Sequence, residues 1–294
     1  MPERRVLVLV NPDAGRAGAR RRQLGRVVAA LRGKGCAVTV REALSPGDAE
    51  RLARDAEPEF DTIVAAGGDG TVAAVANGIA AAPRPLAILP LGTANVLAAE
   101  IGVPRGAAGR AAMIAEGPAR QAWPGKIGGR LFLTSAGVGF DADVVAAVDP
   151  RLKRRGGRFA FVWAALGELW RFRPTSMTVI ADGIGHRVGE LIVTTGRLYA
   201  GGFAVAPQAR LDEPVLHLAL FEDRGRIGVL RRWAALLFGC SARAAGATIV
   251  VARKVEIADP VGAPVQADGD IVAALPVTIE IAPRPIPLVR PNKM

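Results

Sequence analysis

The first third of the chain alternates short apolar runs with segments of helical periodicity. The run at 6–10 is continuously apolar, as expected for a strand that is buried on both faces, and 62–66 and 86–89 are predicted as further strands of this kind. Between the first two runs, apolar residues recur at helical spacing over 24–31. Because strands and helices that alternate in this way form a parallel sheet with helices on both faces, we predict an α/β domain over residues 1–122.

Beyond residue 122 strand signals dominate and follow one another directly, with Gly and Pro between them. The predicted strands are 131–135, 176–181, 188–195, 214–221, 246–251, 254–258 and 277–282. This pattern favours a β-sandwich domain over 123–282, with helices near 159–172 and 226–238. The Pro-rich tail, 283–294, is unsuited to a helix, and we expect it to return to the first domain.

The composition limits the classes of partner and the compartment. A net charge of +11, from 38 basic and 27 acidic residues, suits phosphorylated ligands, anionic lipid or nucleic acid. No recognisable nucleic-acid-binding module accompanies the charge, so we expect no nucleic-acid partner. No apolar run reaches the roughly 18 residues of a spanning helix, and the run at 6–10 is too short for a signal peptide. Since Cys36 and Cys240 show no paired spacing, we predict a cytoplasmic protein without a disulfide framework.

A glycine-rich turn, Gly67-Gly68-Asp69-Gly70-Thr71, lies between a predicted buried strand and a helix. Glycine lets a backbone approach a phosphate without a Cβ in the way, and a helix N-terminus offers N–H groups and a favourable dipole. Asp69 adds a carboxylate that can hold Mg²⁺ beside those phosphates. Such a turn is often no more than a tight turn, but ligands bind at the carboxyl ends of parallel strands.

Two further loops follow strands of the same predicted sheet. The loop Pro90-Leu91-Gly92-Thr93-Ala94-Asn95 leads into a helix, and Thr93 either caps that helix or donates its hydroxyl to a phosphate oxygen. Asn11 and Arg16 follow the first strand and are expected to meet a nucleotide from the other side of the crevice. The alternative for Arg16 and the arginines after it is a solvated helix face.

Taken together, these motifs resemble the diacylglycerol kinase catalytic family, which includes bacterial lipid kinases and sphingosine kinases. The matching stretches are NPDAGRAG at 11–18, GGDGT at 67–71, PLGTAN at 90–95, SAGVGFDA at 135–142, AGGFAVAP at 200–207 and QADGD at 266–270. The resemblance therefore covers nearly the whole chain. GGDGT alone is shared with NAD kinases and phosphofructokinases, which the family resembles in fold, whereas PLGTAN followed by the late DGD is more specific.

This resemblance implies an ATP-binding α/β domain of the NAD kinase and phosphofructokinase type, a β-sandwich that supplies the lipid site, and ATP in the cleft between them. The implied activity transfers the γ-phosphoryl group of ATP to a hydroxyl of a membrane lipid such as diacylglycerol or a sphingoid base. Residues 67–71 and Thr93 then contact the nucleotide, and Asp69 belongs to the catalytic Mg²⁺ site. Asp270 is the implied general base at the lipid hydroxyl. The sequence Asp268-Gly269 also predicts a hairpin turn, which is compatible with that role.

Several positions depart from the family pattern. The late motif usually ends in Glu, and this chain has Asp270. Ala43 stands where a nucleotide-contacting Thr is expected, and Phe203 interrupts a glycine run. A structural Mg²⁺ site in bacterial relatives uses an Asp-Gly pair where this chain has Glu213-Pro214, so Glu213 is a second candidate metal ligand.

A dense basic segment at 151–158 precedes aromatic and apolar residues at helical spacing over 159–170. A basic cluster beside such a helix suits an anionic membrane surface; a solvated loop followed by a core helix is the alternative. We expect the lipid substrate to be reached at such a surface by a peripherally associated protein. The sequence is also compatible with a homodimer.

Two other functions stay open from the sequence. An NAD kinase, or another kinase of small soluble substrates, explains GGDGT but neither PLGTAN nor the late DGD. A catalytically lapsed regulator that binds nucleotide or lipid is suggested by Ala43 and Glu213. The intact Asp69, Thr93 and Asp270 argue against it.

Overall fold

The protein is described from a computed structural model that covers residues 4–12, 17–148, 164–165, 167–170, 176–199, 202–222, 225–237, 242 and 245–292. The chain forms two compact units. Unit 1 comprises residues 1–122 and 284–294, and unit 2 comprises residues 123–283.

Unit 1 is an α/β domain built on one six-stranded sheet. Its elements are β1 (Arg5–Val10), α1 (Ala17–Gly33), β2 (Ala37–Glu42), α2 (Pro46–Arg54), β3 (Thr62–Gly67), α3 (Asp69–Gly78), β4 (Leu86–Pro90), α4 (Val96–Glu100), α5 (Ala107–Glu116), β5 (Ala119–Ala122) and, from the C-terminal segment, β20 (Ile286–Val289). The strand order is β2-β1-β3-β4-β20-β5. Strands β2, β1, β3, β4 and β20 are parallel, and β5 pairs with β20 in the antiparallel sense.

Continuous apolar strands form the centre of this sheet because both of its faces are covered. All six residues of β3 are buried, and in β1 the neighbours Leu7 and Val8, which point to opposite faces, are 0% and 1% exposed. On one face Val8 and Val64 pack with Leu31 of α1 and Ile114 of α5. The predicted parallel sheet with flanking helices is therefore confirmed.

The strand order creates a topological switch point between β1 and β3. The chain leaves β1 toward β2 on one side and later enters β3 on the other. In sheets of this kind the loops at the carboxyl ends separate at the switch point and leave a crevice for ligands. Asn11 follows β1 at this edge, and its backbone N–H donates to the carbonyl of Ala66 at 3.3 Å.

Unit 2 is built on two six-stranded antiparallel sheets. Its elements are β6 (Gly125–Ile127), β7 (Arg130–Phe132), β8 (Ser135–Val138), α6 (Phe140–Ala147), β9 (Met177–Ala181), β10 (Ile184–Val188), β11 (Glu190–Thr194), β12 (Leu198–Tyr199), β13 (Phe203–Ala204), β14 (Leu216–Phe221), α7 (Gly225–Leu237), β15 (Thr248–Ala252), β16 (Lys254–Ile257), β17 (Pro264–Ala267), β18 (Asp270–Ala274) and β19 (Val277–Ile281). The strand orders are β10-β9-β16-β19-β6-β7 and β15-β14-β11-β8-β17-β18.

The two sheets of unit 2 pack face to face. Val255 and Ile279 of the first sheet lie in one apolar cluster with Val138 and Val193 of the second. This arrangement is a β-sandwich, as the sequence predicted. On the other face of the second sheet, α6 and α7 bring Phe140 and Val229 into a separate apolar cluster. Strands β8, β11 and β14 are buried along their whole length, because they are covered on both sides.

Some sequence predictions differ from the structure in detail, and others cannot be compared. The predicted strand at 131–135 is two strands, β7 and β8, because residues 133–134 leave the ladder to contact Asp268. The basic segment 151–158, Arg16 and Cys240 lie outside the described residues. Within the described part of the chain, no helix has both the length and the apolar character needed to cross a bilayer.

Candidate active site

The two glycine-rich turns of unit 1 are in direct backbone contact. A Cβ built on Gly92 would lie 2.4 Å from the Cα of Gly68, and one built on Gly68 would lie 3.3 Å from the Cα of Gly92. The backbone N–H groups of Leu91 and Gly92 both donate to the carbonyl of Gly67, at 2.9 and 3.2 Å. The turns after β3 and β4 therefore form one continuous surface at the carboxyl edge of the sheet.

Gly67 is required by its neighbour on α3. A Cβ at this position would lie 2.3 Å from the Oγ1 of Thr71 and 2.5 Å from its Cβ, which is closer than any real contact. Thr71 is buried, and its N–H donates to the carbonyl of Gly68 at 3.0 Å. At Gly67 and Gly92 the structure thus gives glycine a packing role that the phosphate argument from the sequence did not include.

Asn95 closes the second turn. Its side-chain oxygen accepts from the N–H of Gly92 at 2.9 Å, and its side-chain nitrogen donates to the carbonyl of Gly92 at 2.7 Å. It has a left-handed backbone with φ 48°, which Asn tolerates better than most residues. Thr93, at the tip, is exposed, so its hydroxyl faces away from the core. The helix α4 begins after Asn95, so Thr93 is not its N-cap.

The N-terminus of α3 lies at the centre of this surface. Gly68 is the N-cap and carries no side chain that could bond to the first-turn N–H groups, which suits a bound anion. Asp69 and Gly70 are half-buried in the first turn, and Asn11 is half-buried after β1. A carboxylate beside a glycine surface fits a divalent cation shared with phosphate oxygens. The structure thus brings together the nucleotide and metal candidates of unit 1.

In unit 2 the predicted hairpin turn is confirmed. Ala267 pairs with Asp270, so Asp268 and Gly269 form a two-residue turn between β17 and β18. Both have positive φ, 49° and 85°, as a type I′ turn requires. Asp270 is exposed at the first position of β18. The turn therefore presents Asp270 to solvent, which suits a group that must meet a substrate.

Asp268 has a different role, because its carboxylate holds the segment before β8. One oxygen accepts from the N–H of Leu133 at 2.8 Å, and the other accepts from the N–H of Thr134 at 2.9 Å, from the Thr134 hydroxyl at 2.5 Å and from the N–H of Ser135 at 3.2 Å. Burial raises the pKa of Asp268, while these four hydrogen bonds act to lower it. Asp268 therefore fixes the turn to its neighbouring strand.

A buried polar chain links α6 to the same turn. Asp141, in the first turn of α6, accepts from the Tyr199 hydroxyl, and its other oxygen accepts from Nε2 of Gln266 at 2.7 Å. Gln266 in turn accepts from the N–H of Gly269 through Oε1, at 3.1 Å. Burial raises the pKa of Asp141 to about 6, although both hydrogen bonds lower it, and the pKa of Tyr199 is raised well above its usual range, mainly by burial.

A second buried carboxylate lies nearby. Glu190, at the start of β11, pairs with the guanidinium of Arg232 on α7. Arg232 also donates to the carbonyl of Glu222 at 2.9 Å and stacks over the ring of Phe221, 4.3 Å from its centre. Burial raises the pKa of Glu190 to about 7, against the effect of Arg232. This pair ties α7 to the second sheet.

Two of the departures from the family pattern have a structural setting. Glu213 is exposed, and its carboxylate lies 3.4 Å from the guanidinium of Arg210, which also pairs with Asp212 at 3.1 Å. A cation at Glu213 would have to displace Arg210, so this donor set fits a metal poorly, and the metal role of Glu213 stays a prediction. Ala43 is fully buried, and its N–H donates to the carbonyl of Val10 at 2.8 Å.

The sequence patterns gave no role to Asn95, Asp141, Tyr199 or Gln266, and they gave Asp268 a role only in the hairpin turn. For Asp141, Gln266 and Asp268 the available signal was their place within stretches that resemble the family. Their hydrogen bonds join residues that are 58 to 135 positions apart, which local spacing cannot reveal.

Two family models match this chain, one for each part of it. The family model described as the YegS C-terminal NAD kinase beta sandwich-like domain matches residues 134–290, so unit 2 is a β-sandwich domain of that class. The family model of the diacylglycerol kinase catalytic domain matches residues 5–127. The chain therefore belongs to the diacylglycerol kinase catalytic-domain family, a family of lipid kinases.

Individual relatives agree with this assignment. The chain is 28% identical, over 98% of its length and 96% of the relative's, to a diacylglycerol kinase of Mycobacterium tuberculosis. It is 32% identical to a diacylglycerol kinase of Bacillus subtilis, over 74% of each chain. Its fold matches the crystal structure of a diacylglycerol kinase from Bacillus anthracis, with a TM-score of 0.78, 23% identity, and coverage of 99% of this chain and 98% of the other.

Proposed function

We propose that the protein is a lipid kinase that transfers the γ-phosphoryl group of ATP to a hydroxyl of a membrane lipid such as diacylglycerol or a sphingoid base. The observation that carries the proposal is the direct contact of Gly68 with Gly92. It joins the two nucleotide motifs into one surface at the carboxyl edge of a parallel sheet, in a chain of a lipid kinase family.

Phosphoryl transfer depends mainly on positioning and on charge stabilisation. In this proposal the N-terminus of α3 and the backbone of residues 67–71 bind the phosphates of ATP, with Thr93 and Asn11 as further contacts. Asp69 holds Mg²⁺, which supplies neutralisation of the phosphate charge when it is bound. The half-burial of Asp69 beside glycine backbone supports that role, because a partly desolvated carboxylate attracts a cation more strongly than an exposed one.

The acceptor side of the reaction rests on Asp270. Its carboxylate is exposed at the end of the Asp268-Gly269 turn, so a lipid hydroxyl can reach it. Asp270 accepts the proton of that hydroxyl as the oxygen attacks the γ-phosphorus. The fixed turn limits the positions that this carboxylate can take, which favours catalysis by lowering the cost of orientation.

We further propose that the protein reaches its lipid at an anionic membrane surface. The outer face of α7 exposes Arg226, Ile227, Leu230 and Arg231, with Ile227 73% and Leu230 53% exposed. These residues lie at helical spacings of three and four, so two apolar side chains are flanked by two cations on one face. Leu169 packs against the apolar cluster of Phe140 and Val229. Its neighbour Trp170 is 82% exposed. Apolar groups among cations suit an anionic interface.

The chemistry is tested with ATP, Mg²⁺ and a panel of diacylglycerol, sphingosine, phosphatidylglycerol, ceramide and NAD, with products identified by mass. We expect a phosphorylated lipid. A phosphorylated NAD would favour the NAD kinase alternative, and ATP binding without transfer to any panel member would favour a regulator. Asp270→Asn should lower kcat by about 10² to 10⁴ with little change in ATP affinity, whereas Asp270→Glu should keep substantial activity. Wild-type turnover in the Asn variant would remove Asp270 from the mechanism.

Membrane binding is tested by flotation with vesicles of phosphatidylcholine, prepared with and without phosphatidylglycerol. The double variant Ile227→Ser/Leu230→Ser should bind at least about 10-fold more weakly, because about 2 kcal/mol of apolar burial is lost. The matched control is Ile184→Ser/Val251→Ser, since these strand residues are 65% and 53% exposed. Equal loss in both double variants would contradict the assignment of α7 as the docking face.

A further inference from the structure

We propose that Gln266 is a positioning residue, which acts by holding the backbone of the Asp268-Gly269 turn and thereby orients Asp270 toward the acceptor hydroxyl. This inference rests on the proposed role of Asp270 as the general base. It goes further in naming the group that sets where this carboxylate lies.

The side chain of Gln266 is 2% exposed and is bonded at both ends. Its Nε2 donates to Asp141 at 2.7 Å, and its Oε1 accepts the N–H of Gly269 at 3.1 Å. Gly269 is the residue directly before Asp270. A buried amide with both ends fixed cannot rotate without leaving a polar group unpaired, so the Asp268–Gly269 peptide, which lies one peptide before Asp270, is held at one position.

Asp141 fixes the other end of this link. Its second oxygen accepts from the hydroxyl of Tyr199, so the carboxylate is held from two sides. The Asp141 carboxylate and Nε2 of Gln266 meet beside Gly137 of β8. A Cβ on Gly137 would lie 2.0 Å from the Asp141 carboxylate and 3.0 Å from Nε2 of Gln266, so the contact requires glycine at this position. Gly137 is also the β8 partner of Gln266. The strand is therefore built to let the two side chains meet.

The pairing register of β17 with β18 also helps to set the direction of the Asp270 side chain. Between Val265 and Gln266 the pairing of β17 with β18 shifts by one residue, so Gln266 pairs with Ile271 and not with Val272. This bulge makes the turn two residues long. Because a shift by one residue exchanges the two faces of a strand, it also decides the side to which Asp270 points. Bulges of this kind occur next to active sites and redirect side chains there.

The test compares kcat and KM for ATP in wild type, Gln266→Met, Asp270→Asn and the double variant, with the same lipid panel. Met has the length of Gln without its hydrogen-bonding groups. We expect Gln266→Met to lower kcat by about 10- to 100-fold, which is the effect of a displacement of about 1 Å, with the KM for ATP unchanged. In the Asp270→Asn background the same change should cause no further loss, because Gln266 acts only through Asp270.

Other outcomes would overturn the inference. A Gln266→Met enzyme with wild-type kcat, or a Gln266→Met change that slows the Asp270→Asn enzyme by the same factor as it slows wild type, excludes a positioning role. Asp270→Asn with wild-type turnover would instead refute the base assignment on which the inference rests. A wild-type protein that transfers phosphate to no member of the panel would refute both.

A second pair of variants decides the question if Gln266→Met does not fold. Gln266→Glu replaces the amide that lies 2.7 Å from Asp141 with a second carboxylate and should lower kcat at least as strongly. Adding Asp141→Asn restores the link with donor and acceptor exchanged, since the new amide at position 141 can donate to the carboxylate at position 266, which still accepts from Gly269. We expect this double variant to regain at least about 10-fold in kcat over Gln266→Glu, which undoes a loss of the size expected for a displaced base. Recovery of the folded state without recovery of kcat would overturn the inference.

Discussion

Substitution by Asn should affect stability at Asp268 and catalysis at Asp270, the two aspartates that flank Gly269. Asp268 accepts four hydrogen bonds, whereas Asp270 is exposed. We therefore expect Asp268→Asn to lower the free energy of unfolding of unit 2, and Asp270→Asn to change it by less than about 0.5 kcal/mol. Asp270→Asn should instead lower kcat, because it removes the proposed proton acceptor.

The magnitude for Asp268→Asn follows from its contacts. The amide oxygen can keep the three bonds from Thr134 and Ser135, and the amide nitrogen then faces the N–H of Leu133, which loses its 2.8 Å partner. A buried N–H without a partner costs about 1 to 3 kcal/mol. Burial disfavours the charged form of Asp268 and raises its pKa, and a neutral Asn avoids that cost. This gain offsets part of the lost charge assistance, so we expect the free energy of unfolding to fall by about 2 kcal/mol. Asn also tolerates the positive φ of 49° at this position, so backbone strain does not contribute.

Urea unfolding followed by tryptophan fluorescence measures this loss. The four tryptophans, at 123, 163, 170 and 233, all belong to the residues of unit 2, so the signal reports that unit. With a denaturant slope of about 2 kcal/mol/M, a loss of about 2 kcal/mol lowers the midpoint by about 1 M. An Asp268→Asn midpoint equal to the Asp270→Asn midpoint would refute the role of the Asp268 carboxylate in fixing the turn to its neighbouring strand.

Three further predictions concern buried groups and backbone contact. Gly92→Ala should weaken ATP binding, measured calorimetrically, by at least about 10-fold, because a methyl group here would lie 2.4 Å from the backbone of the neighbouring turn. The control is Gly25→Ala, where a methyl group meets nothing within 4 Å among the described residues. It should leave ATP binding unchanged. The pKa of Asp141, raised from 3.8 to about 6 mainly by burial, means that the folded form holds this proton more tightly, so the contribution of this group to stability is fully present below about pH 4 and is lost as the pH rises through about 6. Denaturation series at several pH values should show wild type losing up to about 3 kcal/mol relative to Asp141→Asn over this range. Glu190→Gln should destabilise unit 2 by about 1 to 3 kcal/mol in the same assay, because the buried guanidinium of Arg232 loses part of its hydrogen bonding to the carboxylate. An unchanged midpoint would contradict a role of the pair in stability.

Burial on both faces made much of the fold predictable. Strands such as β3 are apolar at almost every position, and glycine turns after them are visible in the sequence alone. Strand β20 could not be predicted, because Pro287 lies within it and proline is unusual inside a sheet. The tail was expected only to return to the first domain. Its pairing with β4 and β5 joins segments that are far apart in the chain.

The candidate site, like the fold, has residues that the sequence could predict and residues that it could not. The motifs that contain Asp69 and Asp270 are local: the glycine turn between strand and helix was enough to select Asp69, and the resemblance of the late motif to the family selected Asp270. Their supports are not local: Gln266 reaches Asp141 across 125 residues, and nothing near either residue indicates the other. Sequence reasoning therefore finds the groups proposed to act on substrate, while the residues that hold them require the tertiary fold.

The position of β20 has a consequence for the time at which unit 1 can form during synthesis. Strand β20 lies between β4 and β5, so the sheet has a gap until its last residue, Val289, has left the ribosome. Unit 2, whose residues end at 283, is by then fully translated and can fold first, although it begins later in the chain. Until that moment β4 and β5 each present an open edge that another chain could occupy. A released chain truncated before Ile286 should therefore carry a folded second unit and a first unit that is sensitive to protease.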